Sequence, residues 1–269
     1  MQNGYYQATG AMVTQFNKLD VISNNLANLN TPGFKKDDTV VGDFERIFQT
    51  FRDEMPLKNH TKEGAKFLNR SLNRVPHIVE RFTDFSEGVI KHTGNSLDLA
   101  LKNGNYFYMV DTPTGVRLTQ NGSFILNENG AISTKEGYTL LADDFLTTNN
   151  REIRIPQNST ITVDKNGNIY ADNEHIAKIF IASVNNLKEL FKEGDTLLNM
   201  KNLEESVIQM EDGDYIAQGY LQMSNVNPIK EMTSLIEVNR FIEMYQKVMT
   251  SHMNDLNQEA ITKLASIRA

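Results

Sequence analysis

The chain has 269 residues, long enough to bury a sizeable core without disulfides. It has no cysteine, which excludes a disulfide scaffold, a thiol nucleophile and cysteine-ligated zinc or iron–sulfur centres. Lys+Arg number 27 against Asp+Glu 34, a net charge of −7, so nothing pulls the whole chain toward nucleic acid or anionic lipid.

No apolar run approaches the roughly 18 residues of a membrane span. The N-terminus lacks a basic stretch followed by an apolar one, so no ordinary secretion signal is expected there. Of the 16 glycines, fourteen lie between Gly33 and Gly219, and the last proline is Pro228. Both ends are therefore free to be helical while the middle is punctuated by breakers.

At the N-terminus, Tyr5, Met12, Phe16, Leu19 and Leu26 form a heptad-like stripe. The helix is predicted to stop near Asn28–Asn30. Thr31-Pro32-Gly33-Phe34 reads as a type II turn, with Pro32 at i+1 and Gly33 at the position that needs positive φ. Residues 35–80 are mixed and charged and read as a connecting arm, with Phe44, Ile47, Phe48 and Phe51 as a short amphipathic helix.

From residue 81 to 220 the pattern is that of strands. Tyr106–Val110, Tyr138–Leu141 and Ile176–Val184 are apolar, β-rich runs. Asn-Gly or Glu-Gly turn signals fall at Gly104, Gly122, Gly130, Gly137 and Gly167, which predicts an antiparallel β domain. Asn227 then suits an N-cap and Pro228 the N1 position. Leu235, Val238, Ile242, Tyr245, Met249, His252 and Leu256 follow at strict 3,4 spacing. They predict a helix of about 35–40 residues, roughly 55 Å long. Such a helix is long for a compact domain and reads as a coiled-coil partner for the N-terminal helix or for other subunits. The expected fold class is thus α+β. Long N- and C-terminal helices pair as a coiled coil (1–34 and 221–269), 35–80 connects, and 81–220 forms a central, mainly antiparallel β domain.

Catalytic patterns are weak. Gly94-Asn95-Ser96-Leu97 is one residue from the Gly-Asp-Ser-Leu block of a hydrolase family, and Asp172 and His175 have the Asp-x-x-His spacing of its other partners. That block opens an α/β fold, whereas here both pieces lie in Gly-punctuated β sequence. Ser96 therefore reads as a turn residue and His175 as a surface loop residue, and no enzyme is expected. Asp164, Asn166 and Asn168 carry a calcium-loop 1,3,5 spacing, but Gly167 falls at the fourth position instead of the sixth. His60, His77, His92, His175 and His252 are scattered, so no metal and no cofactor is expected.

The segment Ser23-Asn24-Asn25-Leu26-Ala27-Asn28-Leu29-Asn30-Thr31-Pro32-Gly33-Phe34-Lys35 resembles the N-terminal signature of bacterial flagellar axial proteins. Thr93 to Leu101 with Gly104, Tyr106 and Phe107, then Asn121-Gly122-Ser123-Phe124 and Gly137-Tyr138, resemble that family's core block. Gly219-Tyr220-Leu221-Gln222-Met223-Ser224-Asn225-Val226-Asn227 resembles its C-terminal motif, with Gln222 standing where the family usually has Glu. Length favours rod proteins over hook proteins, and Asn227 to Thr233 with Arg240 to Met244 favours the proximal-rod FlgF type over the distal-rod FlgG type.

The resemblance implies a non-enzymatic subunit of the basal-body rod. It implies helical polymerisation around an axial channel in the periplasm, alongside copies of itself and other rod subunits, after delivery by the flagellar type III export apparatus without a cleaved signal peptide. It implies neither nucleic-acid binding nor embedding in a membrane. The expected assembly interface is Met12, Phe16, Leu19, Asn24, Asn25, Leu26, Asn28, Leu235, Ile242, Tyr245, Met249 and Leu256.

Overall fold

The structure, a computed structural model, describes residues 2–43, 76–145, 152–156, 159–200, 207–210 and 213–266. Two units share the chain. One draws on Met1–Leu26, Asp37–Phe82 and Pro228–Ala269, the other on Ala27–Lys36 and Thr83–Asn227.

The helical unit contains α1 (Gln2–Ala27), a two-stranded sheet of β1 (Asp37–Asp43) and β2 (Pro76–Thr83), and α2 (Pro228–Ser266). Both helices follow from the sequence. Residues 11–31 and 229–269 hold no breaker, and Pro228 opens α2 at N1, where its missing N–H costs nothing. The short helix expected around Phe44–Phe51 lies outside the described residues. The strand pair β1–β2 at the ends of that arm carried no clear signal in so charged a stretch.

The expected coiled-coil pairing is not what the helices form. Among the described residues, α1 meets α2 in a small apolar cluster, where Ile22, Val238 and Ile242 are buried and Met12, Leu19, Leu26 and Leu235 pack around them. Nearer the start of α1, Thr9 Oγ1 donates to Met249 Sδ at 3.4 Å. Two physical reasons stop a sustained seam. The buried face of α1 includes Ala8, Ala11, Thr14 and Asn25, which are small or polar and cannot serve as apolar knobs. α2 is also 39 residues long against 26 for α1, so α1 cannot pair with it along its whole length.

The second unit holds β3 (Ile90–His92), β4 (Leu99–Leu101), β5 (Tyr106–Thr112), β6 (Gly115–Thr119), β7 (Phe124–Leu126), β8 (Ile132–Thr134) and β9 (Thr139–Leu140). It continues with β10 (Ile161–Val163), β11 (Asn168–Ala171), β12 (Glu174–Lys178), β13 (Ile181–Val184), β14 (Phe191–Lys192) and β15 (Leu197–Asn199). Last come β16 (Val207–Gln209), β17 (Ile216–Gln218) and β18 (Tyr220–Gln222). The main sheet runs β14-β15-β6-β5-β9-β8-β7, and β5 also pairs with β13, which carries β16. Its pairings are antiparallel, as the turn signals predicted.

β5 explains its own composition. Tyr108 and Val110 point into one core with Phe124, Ile132, Leu140 and Ile181, while Phe107 and Met109 point into another with Leu118, Leu141, Phe180 and Leu198. A strand buried on both faces reads as a continuous apolar run, with no polar alternation.

Of the five Gly turn signals, Gly122 has a different role. Leu99 N donates to its carbonyl at 2.9 Å, and a Cβ there would lie 1.7 Å from the Leu99 oxygen. It permits a close crossing of two backbones.

Candidate assembly hub and helix faces

Each unit carries part of the Ser23–Lys35 motif. In the helical unit, Asn25 is buried and its amide brackets the start of β1. Nδ2 donates to the Asp37 carbonyl at 2.8 Å, and Oδ1 accepts the Asp37 N–H at 3.0 Å. The same Nδ2 lies 3.5 Å from Glu231 Oε2 in the first turn of α2. An amide can do this because it presents a donor and an acceptor side by side.

In the second unit the chain turns as the sequence predicted. Phe34 N donates to Thr31 O at 3.3 Å, and Gly33 has φ +72°. Asn28 caps the turn by accepting the Thr31 hydroxyl at 3.1 Å. Gly33 N then donates to Gln222 O at 2.8 Å, and a Cβ on Gly33 would meet Asn121 N at 2.3 Å.

This turn delivers Lys35 into a polar hub built from residues 33–36, 84–89 and 222–225. Lys36 N donates to Asn225 Oδ1 at 2.8 Å, and Asp84 N to Lys36 O at 2.9 Å. Asn225 Nδ2 reaches Asp84 O at 2.7 Å and Ser86 Oγ at 3.0 Å, while Met223 N donates to Val89 O at 2.9 Å. Lys35 is only 2% exposed, and its Nζ donates to Ser86 O at 2.8 Å and to Gln222 Oε1 at 3.5 Å. Lys192 donates to the Lys35 carbonyl, with its Nζ 4.1 Å from the Phe34 ring centroid.

Burial lowers the Lys35 ammonium to about 8, against the opposing pull of Glu87 and Asp84. Burial pushes Asp84 up, but hydrogen bonds from Ser86 and the charges of Lys36 and Lys35 outweigh it, so its carboxyl lies below the ordinary value. Sequence reasoning missed Lys35, Asn225 and Lys192 as hub residues. A lysine gives no periodic signal of burial, and Lys192 is far away along the chain.

The candidate interface residues occupy several settings. Met12, Leu19, Leu26, Leu235 and Ile242 meet one another within the helical unit. Tyr245 and Met249 are half-buried on the same side of α2, Asn25 and Asn28 are buried, and Asn24 is exposed. Phe16 is 41% exposed despite its place in the stripe. The side chain of Leu256 lies outside the described residues. The sequence stripe omitted a second row on α2, where Phe241, Met244 and Val248 are exposed at 3,4 spacing.

The hydrolase-like residues have other occupations. Asp172 and Asn173, at φ 49° and 71°, turn the β11–β12 hairpin. The Asp172 carboxylate accepts Thr160 N at 2.9 Å, and the His175 ring stands edge-on to Tyr170 at 5.6 Å. In the calcium-like loop, Asp164 Oδ1 accepts Lys165 N and Asn166 Oδ1 accepts Gly213 N. Among the described residues no three His, Cys, Asp or Glu side chains gather as a metal site. No described helix is long and apolar enough to cross a membrane.

A β unit between terminal helices, the longer of which keeps an uncovered apolar row, defines a subunit built to assemble. Comparison with known proteins makes this specific. Residues 6–35 match the family model of the flagella basal body rod protein, residues 102–171 that of the flagellar hook protein FlgE/F/G D1 domain, and residues 217–262 that of the flagellar basal body rod FlgEFG protein C-terminal. The chain is 30% identical over 268 residues to the flagellar basal-body rod protein FlgF of Caulobacter vibrioides, covering 99% of this chain and 100% of that one. It is 27% identical over 270 residues to FlgF of Rhizobium meliloti, covering all of both chains. It is 30% identical over 249 residues to the rod protein FlgG of Agrobacterium fabrum, covering 91% and 92%. The chain belongs to the flagellar basal-body rod protein family, as a structural subunit of the FlgF and FlgG type with FlgF favoured. Its place is the flagellar basal body, in assembly with other rod components.

Proposed function

We propose that the chain is a proximal-rod subunit with no catalytic role, polymerising helically through its terminal helices into the periplasmic part of the drive shaft. Residues 1–34 and 221–269 form the assembling layer, 35–80 the connection and 81–220 the outer β domain. Copies of the same chain and neighbouring rod subunits are its partners, and the flagellar type III export apparatus delivers it. Full-length similarity to FlgF relatives supports the position in the rod.

The observation that carries the assembly reading is the exposed row Phe241, Met244 and Val248 on α2. A row of large apolar side chains at helical spacing gains free energy only when another surface covers it. Exposed Phe16 and Asn24 on α1 extend the contact set. Met12, Leu19, Asn25, Leu26, Asn28, Leu235, Ile242, Tyr245, Met249 and Leu256 complete it, either by contact or by holding the helices in shape.

The test is complementation of a non-motile deletion strain with Phe241→Asp and Met244→Asp. Both proteins are expected to fold with unchanged circular dichroism yet to restore neither rod assembly nor swimming. Normal swimming with both changes would overturn the reading.

A further inference from the structure

We propose that the Lys35 hub is a proton-operated lock, soft while the buried lysine is charged and tight once it has lost its proton. The geometry carries this. Lys35 Nζ is enclosed where three stretches of chain cross, and its two acceptors, Ser86 O and Gln222 Oε1, are neutral. A buried ammonium held on neutral dipoles carries a desolvation cost that the nearby carboxylates of Glu87 and Asp84 offset only in part.

The charged groups around it come from its own segment, from the facing residues 84–89 and from β14. Lys36 lies on its own segment, Asp84 and Glu87 on the facing one, and Lys192 of β14 behind its carbonyl. Asp84 is engaged with Lys36 at 3.7 Å and with Ser86. Residues 222–225 supply no charge at all, only the amides of Gln222 and Asn225 and the hydroxyl of Ser224.

The direction follows from linkage. Lys35 titrates near 8 in the folded hub and at its ordinary 10.5 when the hub is open. Between those values the open form binds more protons, so rising pH favours the closed form. The cost of the buried charge is fully present below about pH 8 and disappears toward 10.5. Neutral Lys35 still donates to Ser86 O, so the closed geometry survives proton loss. The hub spans the segments by which the chain leaves α1 and enters α2, residues 33–36 and 222–225, so its softness governs how firmly those two connections are held.

The experiment uses the full-length chain, labelled for NMR. The Lys35 side-chain resonances are followed from pH 6 to 11, and amide exchange is measured at Gly33, Lys36, Asp84 and Met223 and corrected for the chemical rate. Lys35 is expected to titrate near pH 8, apart from the surface lysines. The opening constant of the hub should fall about 30-fold between pH 7 and pH 9.5, with β5–β6 amides unchanged as the internal reference. Gln222→Glu places a carboxylate beside Nζ, and should return the Lys35 midpoint to the ordinary range and flatten the exchange profile. Lys35→Met should flatten it too. A wild-type Lys35 midpoint among the surface lysines, or hub protection that does not change with pH, overturns the proposal.

Discussion

Asn25 holds both backbone polar groups of Asp37, donating to its carbonyl at 2.8 Å and accepting its N–H at 3.0 Å. A side-chain amide on α1 thus takes the place of a neighbouring strand at the beginning of β1. Because Asn25 is 2% exposed, water cannot replace these bonds cheaply.

Asn25→Ala is therefore expected to destabilise the helical unit by about 1–3 kcal/mol, the cost of removing a buried amide from two hydrogen bonds to a half-buried backbone pair. Asn25→Asp should be at least as damaging, since a carboxylate cannot donate to the Asp37 carbonyl. Urea titration followed by helical circular dichroism provides the measurement, and wild-type midpoints in both variants would refute the bracket.

Asp84 gives the acid counterpart to Lys35. Its carboxyl is held below the ordinary value once the Ser86 hydrogen bonds and the nearby lysines outweigh burial. The stability it contributes is present above its unfolded pKa and is lost as pH falls through the folded one. Asp84→Asn should therefore show a shallower loss of stability below pH 4 than wild type. Thermal melts at pH 5, 4, 3 and 2.5 would reveal it, and parallel curves would count against the assignment.

The legibility of the sequence differed sharply between elements. α2 was readable because Pro228 fixes its start and 3,4 spacing runs from Leu235 to Leu256, and the hairpins because Gly130, Gly137 and Gly167 mark φ-positive corners. The coiled coil was over-read. Periodicity shows that a helix has an apolar face but not what covers it, and Thr14 and Asn25 on the α1 face gave the warning. Within the site, the turn at Thr31–Phe34 was visible in local chemistry. The hub was not, because residues 35, 84–89, 192 and 222–225 are brought together by topology, and no local pattern records that.

Gly33 combines two demands that only a residue without a Cβ can meet together. Its φ of +72° strains any L side chain, and a Cβ would overlap the Gln120–Asn121 backbone at 2.3–2.5 Å. Gly137 has positive φ alone, with nothing within 4 Å of the added atom. Gly137→Ala should cost about 1 kcal/mol, whereas Gly33→Ala should cost 4 kcal/mol or more, roughly the range of severe core lesions. Chemical denaturation of the two variants side by side decides it. Equal losses would mean that the Gly33 turn is free to move off Asn121.

Ile242 and Met244 lie two residues apart on α2 and offer a test that separates folding from the proposed assembly role. Ile242 is buried with Ile22 and Val238, while Met244 is 50% exposed on the opposite row. Ile242→Asp puts a carboxylate into an apolar cluster that offers it no counter-ion, and the loss is expected to exceed about 4 kcal/mol, much of the stability of an ordinary domain. Met244→Asp exchanges one solvated side chain for another, so its effect on the monomer should stay within about 0.5 kcal/mol. Both changes should block rod assembly, the first because α1 and α2 no longer hold each other and the second because the docking row is charged. Melting of the purified monomers separates the two causes. A Met244→Asp monomer as unstable as Ile242→Asp would place that row inside the fold and remove it from the assembly surface.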